Sequence, residues 1–150
     1  MMSNMNTKVW FVTGAGKGIG KAIVNAILKN GDCVIATARN PEEISVPSEY
    51  KNRIMTEQLD VSCPDETIYS DVVQKGLERF GQIDFLVNNA GFGGITNFEE
   101  TSEKMFREMF EVNVFGLMRV TRAILPIMRR QRNGHIFNIA SAAGYSAGPV

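Results

Sequence analysis

The stretch Val9-Trp10-Phe11-Val12-Thr13-Gly14-Ala15-Gly16-Lys17-Gly18-Ile19-Gly20 decides how this chain folds. Its first five residues, VWFVT, form a short and nearly all-apolar run. Such a run, closed by glycine, predicts a strand buried on both faces. Beyond the glycines, Ile19, Ala22, Ile23, Ala26 and Ile27 recur at i, i+3, i+4, i+7 and i+8. That spacing predicts an amphipathic helix with these residues on its buried side. Strand, glycine-rich turn and helix make the first half of a βαβ unit. Glycines in that turn let the backbone bend tightly and come close to a ligand. The exposed N–H groups at the start of the helix then face an anion such as a pyrophosphate.

The same alternation continues to the end of the chain. Asn30-Gly31 closes the first helix. Cys33–Ala38 (CVIATA) is the second strand, broken at Asn40-Pro41. Residues 41–52 are polar and predict a loop with a turn of helix. Ile54–Leu59 is the third strand. The second helix is expected to begin around Ser62, Pro64 and Asp65, with proline in its first turn. Ile68, Val72, Val73, Leu77 and Phe80 carry its apolar face. Ile83–Val87 (IDFLV) is the fourth strand. A helical pattern runs from Ser102 to Gln131, with Met105, Met109, Met118 and Met128 as packing residues. Ile136–Ile139 is the fifth strand. Alternating strands and helices imply a parallel sheet. The right-handed crossover rule then gives a doubly wound α/β sheet of Rossmann type, strand order 3-2-1-4-5, in one domain over 1–150. Its ligand cleft lies at the carboxyl ends of the strands, just after Thr13, Ala38, Leu59, Val87 and Ile139.

Composition removes several alternatives. Sixteen Lys and Arg balance sixteen Asp and Glu, and 44% of the 150 residues are hydrophobic. A chain that apolar is not disordered, and a zero charge balance argues against a nucleic-acid partner. No apolar run approaches the ~20 residues that cross a membrane, and Met1–Thr7 lacks the pattern of a signal peptide. Cys33 and Cys63 are too few for a disulfide scaffold and suit no metal site, so a reducing, cytoplasmic setting is expected. The only histidine, His135, falls at the start of the fifth strand, the wrong end for the cleft. Arg129, Arg130 and Arg132 complement the dipole of the long helix. A phosphate-loop NTPase is excluded because Lys17 is followed by Gly18, not by serine or threonine.

At the predicted strand ends the sequence resembles the short-chain dehydrogenase/reductase family. TGAGKGIG at 13–20 is that family's form of the glycine turn. The similarity continues in Asp60-Val61, in Asn88-Asn89-Ala90-Gly91, in Asn113 within EVNVFG, and in Ser141 after the fifth strand. ATARNP, EVNVFG and AILPIM are most similar to the branch with 17β-hydroxysteroid-dehydrogenase-like enzymes. The resemblance implies an oxidoreductase that moves hydride between a nicotinamide cofactor and a carbonyl or secondary alcohol. It assigns cofactor contacts to Gly14, Lys17, Gly18, Ile19, Gly20, Arg39, Asp60, Val61, Asn89, Ala90 and Gly91. Asp60 and Val61 would meet adenine; an aspartate capping the next turn is the alternative. Asn88 is expected to steady the sheet and Asn89 to touch the cofactor.

Lys17 and Arg39 favour NADP(H) over NAD(H). A 2′-phosphate needs positive charge, whereas an acidic residue at the tip of the second strand would hold a bare ribose. This strand ends Thr37-Ala38-Arg39; Glu42 and Glu43 come later, past Pro41, with room to point elsewhere. The resemblance also makes Ser141 a catalytic group that orients the substrate carbonyl, and gives Asn113 a place in a proton relay. A plainer reading of Asn113 is a buried side chain bonded to a distorted helix carbonyl. Phe92, Gly93 and Gly94 would shape one wall of the substrate pocket.

The family's acid–base Tyr and Lys, spaced YxxxK, are expected roughly a dozen residues beyond Ser141. Tyr145 stands four residues past Ser141, and Pro149 occupies the position four further on. The expectation is therefore a partial copy of a longer enzyme, inactive alone, cut before its later strands and exposing its fifth strand as an edge. A homodimer or homotetramer is expected at full length. The alternative is a non-catalytic NADP-binding or interaction module, which would have no use for Ser141 and Asn113.

Overall fold

The computed structural model describes residues 7–93 and 97–146. Its elements are β1 (Val9–Val12), α1 (Gly18–Lys29), β2 (Cys33–Ala38), β3 (Ile54–Gln58), α2 (Thr67–Phe80), β4 (Phe85–Asn88), α3 (Glu103–Phe110), α4 (Leu117–Gln131) and β5 (His135–Asn138). A π-helical turn, Glu111–Gly116, joins α3 to α4. The five strands form one sheet in the order β3-β2-β1-β4-β5. Every pairing is parallel. This is the Rossmann-type α/β topology that the alternation of elements predicts.

Two cores lie on opposite faces of the sheet. Val9 and Phe11 of β1 point to one face and pack with Tyr69, Val72 and Val73 of α2 and Val120, Ile124 and Met128 of α4. Val12 points to the other, with Val24, Ile27 and Leu28 of α1. The strict alternation of side chains along β1 explains why its sequence is apolar at every position.

Several expectations shift on the structure. Only Ile27 of the five residues expected on the buried side of α1 is fully buried; the stripe is Gly20, Val24, Ile27 and Leu28. Gly20 must face inward against the turn, and the i+4, i+7 and i+8 positions follow it around the helix. Ile19 is 61% exposed as a result. The second helix begins at Thr67, after Pro64, because the Asp65 carboxylate accepts from the Thr67 backbone N–H (2.9 Å) and hydroxyl (2.7 Å). Those bonds hold the Asp65 carboxyl below its ordinary pKa. Of the four methionines expected to pack along the long helix, only Met128 is in the core, while Met105 and Met118 are exposed. Helical spacing identifies a face but not whether another element covers it.

The fourth strand begins at Phe85 because Asp84 is engaged elsewhere. Its buried carboxylate accepts from the Val9 backbone N–H (2.8 Å) and from Gln82 Nε2 (2.8 Å), and Lys8 lies 3.7 Å away. Gln131 brackets the main chain of Ile83, accepting from its N–H and donating to its carbonyl. These bonds lock the amino-terminal end of the sheet and leave the carboxyl end free to form a site. Trp10, Phe85 and Phe137 stack across β1, β4 and β5, with the Trp10 and Phe85 centroids 4.0 Å apart. Phe137 is 45% exposed, and β5 is the edge of the described sheet. Among the described residues no helix is long and apolar enough to cross a membrane, and Cys33 and Cys63 are free thiols. Substituting Asp84→Ala strands the Val9 N–H in the core and is expected to cost about 1–3 kcal/mol, read as a lower urea midpoint.

Candidate functional site

The carboxyl ends of the strands open into a cleft of about 840 Å³. Its floor is the glycine turn. Gly14 has φ +65°, and a Cβ there would stand 2.9 Å from Ala90 Cα. Only glycine lets the turn lie this close to the segment after β4. A Cβ on Gly20 would fall 2.2 Å from the Gly14 carbonyl oxygen, so the helix could not seat on the turn. Gly18, by contrast, faces open space.

Thr13 and Asn89 stitch this floor together. The Thr13 hydroxyl donates to the Val87 carbonyl (3.4 Å) and accepts from the backbone N–H groups of Asn89 and Ala90 (3.0 Å each). Asn89 Nδ2 donates to the carbonyls of Thr13 (3.0 Å) and Gly14 (3.1 Å). The amide of Asn89 thus holds the turn rather than being reserved for a ligand. Asn88 serves the sheet, donating to Thr121 Oγ1 and Asn138 Oδ1.

The first turn of α1 carries no side-chain cap and no acidic residue. Its leading N–H groups point to the cleft with the positive end of the helix dipole. Lys17 precedes it and Arg39 lies at the tip of β2; both line the cleft, and neither forms an ion pair among the described residues. Asp60 and Val61 follow β3 on the same rim. Asp60 Oδ1 accepts from the Ser62 backbone N–H (2.9 Å) and hydroxyl (2.7 Å), which is the capping geometry. Beneath them the Tyr69 hydroxyl is shared between the carbonyls of Val61 (3.0 Å) and Cys63 (2.6 Å). Burial pushes the Tyr69 phenol above its ordinary pKa, against a lowering by Arg119, so it stays a neutral donor.

Asn113 is exposed and sits in the π-helical turn. Its Nδ2 donates to the Phe92 carbonyl (2.8 Å), and its Oδ1 accepts from the Phe92 N–H (3.0 Å). The side chain imitates a neighbouring strand for the segment after β4. This corrects the reading of a buried asparagine bonded to its own helix, because the widened turn aims the amide outward. Ser141 follows β5, and its hydroxyl oxygen accepts from the Ala143 N–H at 3.2 Å.

Every residue assigned to the site by sequence lines the cleft except Gly20, which lies under it. Gly20 is required by packing, not by contact. Phe92 and Gly93 also line the cleft, and Gly94 falls outside the described residues. Tyr145, 96% exposed, does not line it. Sequence reasoning missed Thr13 as the organiser of the floor and Glu43 as a wall residue. The signal for Thr13 was a hydroxyl at the end of an otherwise apolar strand. Thr13→Val removes an acceptor from two backbone N–H groups and is expected to destabilise by about 2 kcal/mol, whereas Thr13→Ser restores stability; thermal melts of both variants check this.

Known proteins share this architecture. A short chain dehydrogenase family profile matches residues 8–150. An oxidoreductase of Botryotinia fuckeliana, BOA17, is 41% identical over 145 residues, covering 95% of this chain and 52% of its own length. A short-chain dehydrogenase from Streptomyces avermitilis superimposes with a TM-score of 0.87 at 43% identity, covering 95% of this chain and 52% of that one. An alcohol dehydrogenase from Thermococcus sibiricus, solved with 5-hydroxy-NADP, has a TM-score of 0.86 at 33% identity, covering 96% of this chain and 62% of that one. The chain thus spans between about half and just under two thirds of the length of the curated relatives it matches. With the glycine turn, the parallel sheet and the motifs at its strand ends in agreement, the chain belongs to the short-chain dehydrogenase family.

Proposed function

We propose that this chain forms the nucleotide-binding part of an NADP(H)-dependent oxidoreductase acting on a small carbonyl compound or secondary alcohol. One observation carries the reading. The uncapped start of α1 opens onto a cleft lined by Lys17, just before that helix, and Arg39, at the tip of β2, neither with an ion-pair partner among the described residues. The cradle fits a dinucleotide. Gly14 keeps the turn low, the space above Gly18 is clear, and the amide hydrogens of the helix start suit a pyrophosphate. Lys17 and Arg39 are the cations that would meet a 2′-phosphate. The Thermococcus sibiricus relative, solved with an NADP derivative, supports that choice.

The nicotinamide, when bound, supplies or accepts the hydride. The chain positions and polarises. Ser141 holds its oxygen on the Ala143 N–H, which leaves its O–H to donate to the carbonyl oxygen of a substrate and to steady the charge that develops there. Asn113 fixes the main chain of Phe92, so this part of the cleft lining keeps its shape. Gly91 cannot carry a side chain without crowding that amide, since its Cβ would stand 3.1 Å from Asn113 Oδ1. The reading extends to assembly as a homodimer or homotetramer through the long helix, supported by exposed Phe110, Phe115 and Met118. It also has the protein work in the cytoplasm, which the free thiols of Cys33 and Cys63 suit.

Fluorescence titration of the complete gene product with NADPH and NADH tests the cofactor. Saturable NADPH binding is expected, and Arg39→Ala should weaken it on the order of tenfold while changing NADH binding much less; the difference should shrink as salt is added. Absence of saturable binding by either nucleotide would sink the reading. Ser141→Ala should lower kcat on the order of 100-fold with little effect on nucleotide affinity, in steady-state assays of carbonyl reduction.

A further inference from the structure

The adenosine end of the cleft is not purely basic. After Ala38 the chain passes Arg39 and Asn40 and then makes a short 3-10 turn, Pro41–Glu43. The Ile44 N–H closes that turn on the Pro41 carbonyl at 3.0 Å, and the Ile44 side chain is buried in the α1 core. This plug folds the turn back over the glycine loop and brings Glu43 to the wall of the cleft. One carboxylate oxygen of Glu43 lies 3.0 Å from the place where a Cβ on Gly16 would stand. The other accepts from Asn40 Nδ2 at 3.0 Å. The carboxylate is exposed, as is its partner Asn40, and among the described residues it forms no ion pair. It shares its wall with Lys17 and Arg39.

We infer that Glu43 is a specificity-determining residue that restrains the preference of this cleft for the 2′-phosphorylated dinucleotide. The inference rests on the NADP(H) reading and deepens it. A phosphate drawn in by Lys17 and Arg39 would also come near the Glu43 carboxylate, and like charges repel across this exposed rim with a strength that salt reduces. An unphosphorylated ribose carries no such charge and meets an acceptor for its hydroxyls. The Asn40 amide favours the orientation in which the carboxylate lies beside the glycine loop. The result is a cleft that discriminates less between the two dinucleotides than its two cations alone would make it.

The test measures dissociation constants for NADP+ and NAD+ on the complete gene product carrying Glu43, Glu43→Gln or Glu43→Lys. Glutamine keeps the shape and the acceptor for Asn40 and removes only the charge. The ratio Kd(NAD+)/Kd(NADP+) is expected to rise about fivefold in Glu43→Gln and further in Glu43→Lys, with the gain fading in high salt. Because the ratio cancels any general loosening of the turn, a merely structural role for Glu43 leaves it unchanged. A ratio within twofold of the unsubstituted protein in both variants overturns the inference. If that happens while Arg39→Ala still weakens NADP+ selectively, the cofactor reading stands without it. If the unsubstituted protein binds neither nucleotide, both fall.

Discussion

A single close approach governs the site end of this molecule. The glycine turn lies against the main chain after β4 with no room for a side chain at Gly14 or Gly20. The Thr13 hydroxyl and the Asn89 amide fasten that contact with four hydrogen bonds to backbone groups. Backbone polar groups at the ends of buried strands must find partners, and here two side chains provide them. The same contact sets the rotation of α1, because Gly20 has to face inward. It also sets the depth of the cleft, because the floor can come no higher than Gly14 allows.

The parallel sheet does the rest of the positioning. All strands end on one side, so the loops after β1, β2, β3, β4 and β5 converge on one rim. At the other end Asp84 and Gln131 tie the strand starts and helix ends into a closed hydrogen-bonded layer. Stability and chemistry are thereby separated along the strand axis. The cleft can then carry cations without ion-pair partners among the described residues, and an uncapped helix start, without weakening the core.

The charge pattern at the rim beside β2 shows why linear distance misleads. Arg39 is adjacent to β2 and is easily assigned to the cleft. Glu43 is four residues further and on the far side of a proline. A short turn anchored by Ile44 returns it to the same wall. The potential in a cleft depends on the sum of nearby charges, so a residue that sequence places in a loop contributes to it beside the two cations.

The sequence by itself determined the class of fold, the strand order, the family and more than half of the residues that line the cleft. Those features follow from local patterns: apolar runs of strand length, helical periodicity, and glycines where a turn needs them. Only the tertiary structure decided which face of α1 is buried, that Thr13 and Asn89 brace the glycine turn, that Asn113 looks outward to Phe92, and that Glu43 returns to the cleft. The bracing by Thr13 and Asn89 and the outward turn of Asn113 depend on backbone groups far along the chain, the face of α1 on the seat of Gly20, and the return of Glu43 on the burial of Ile44. A partner tens of residues away leaves no periodic trace in the chain, so the periodicity that located the strands and helices could not reveal it.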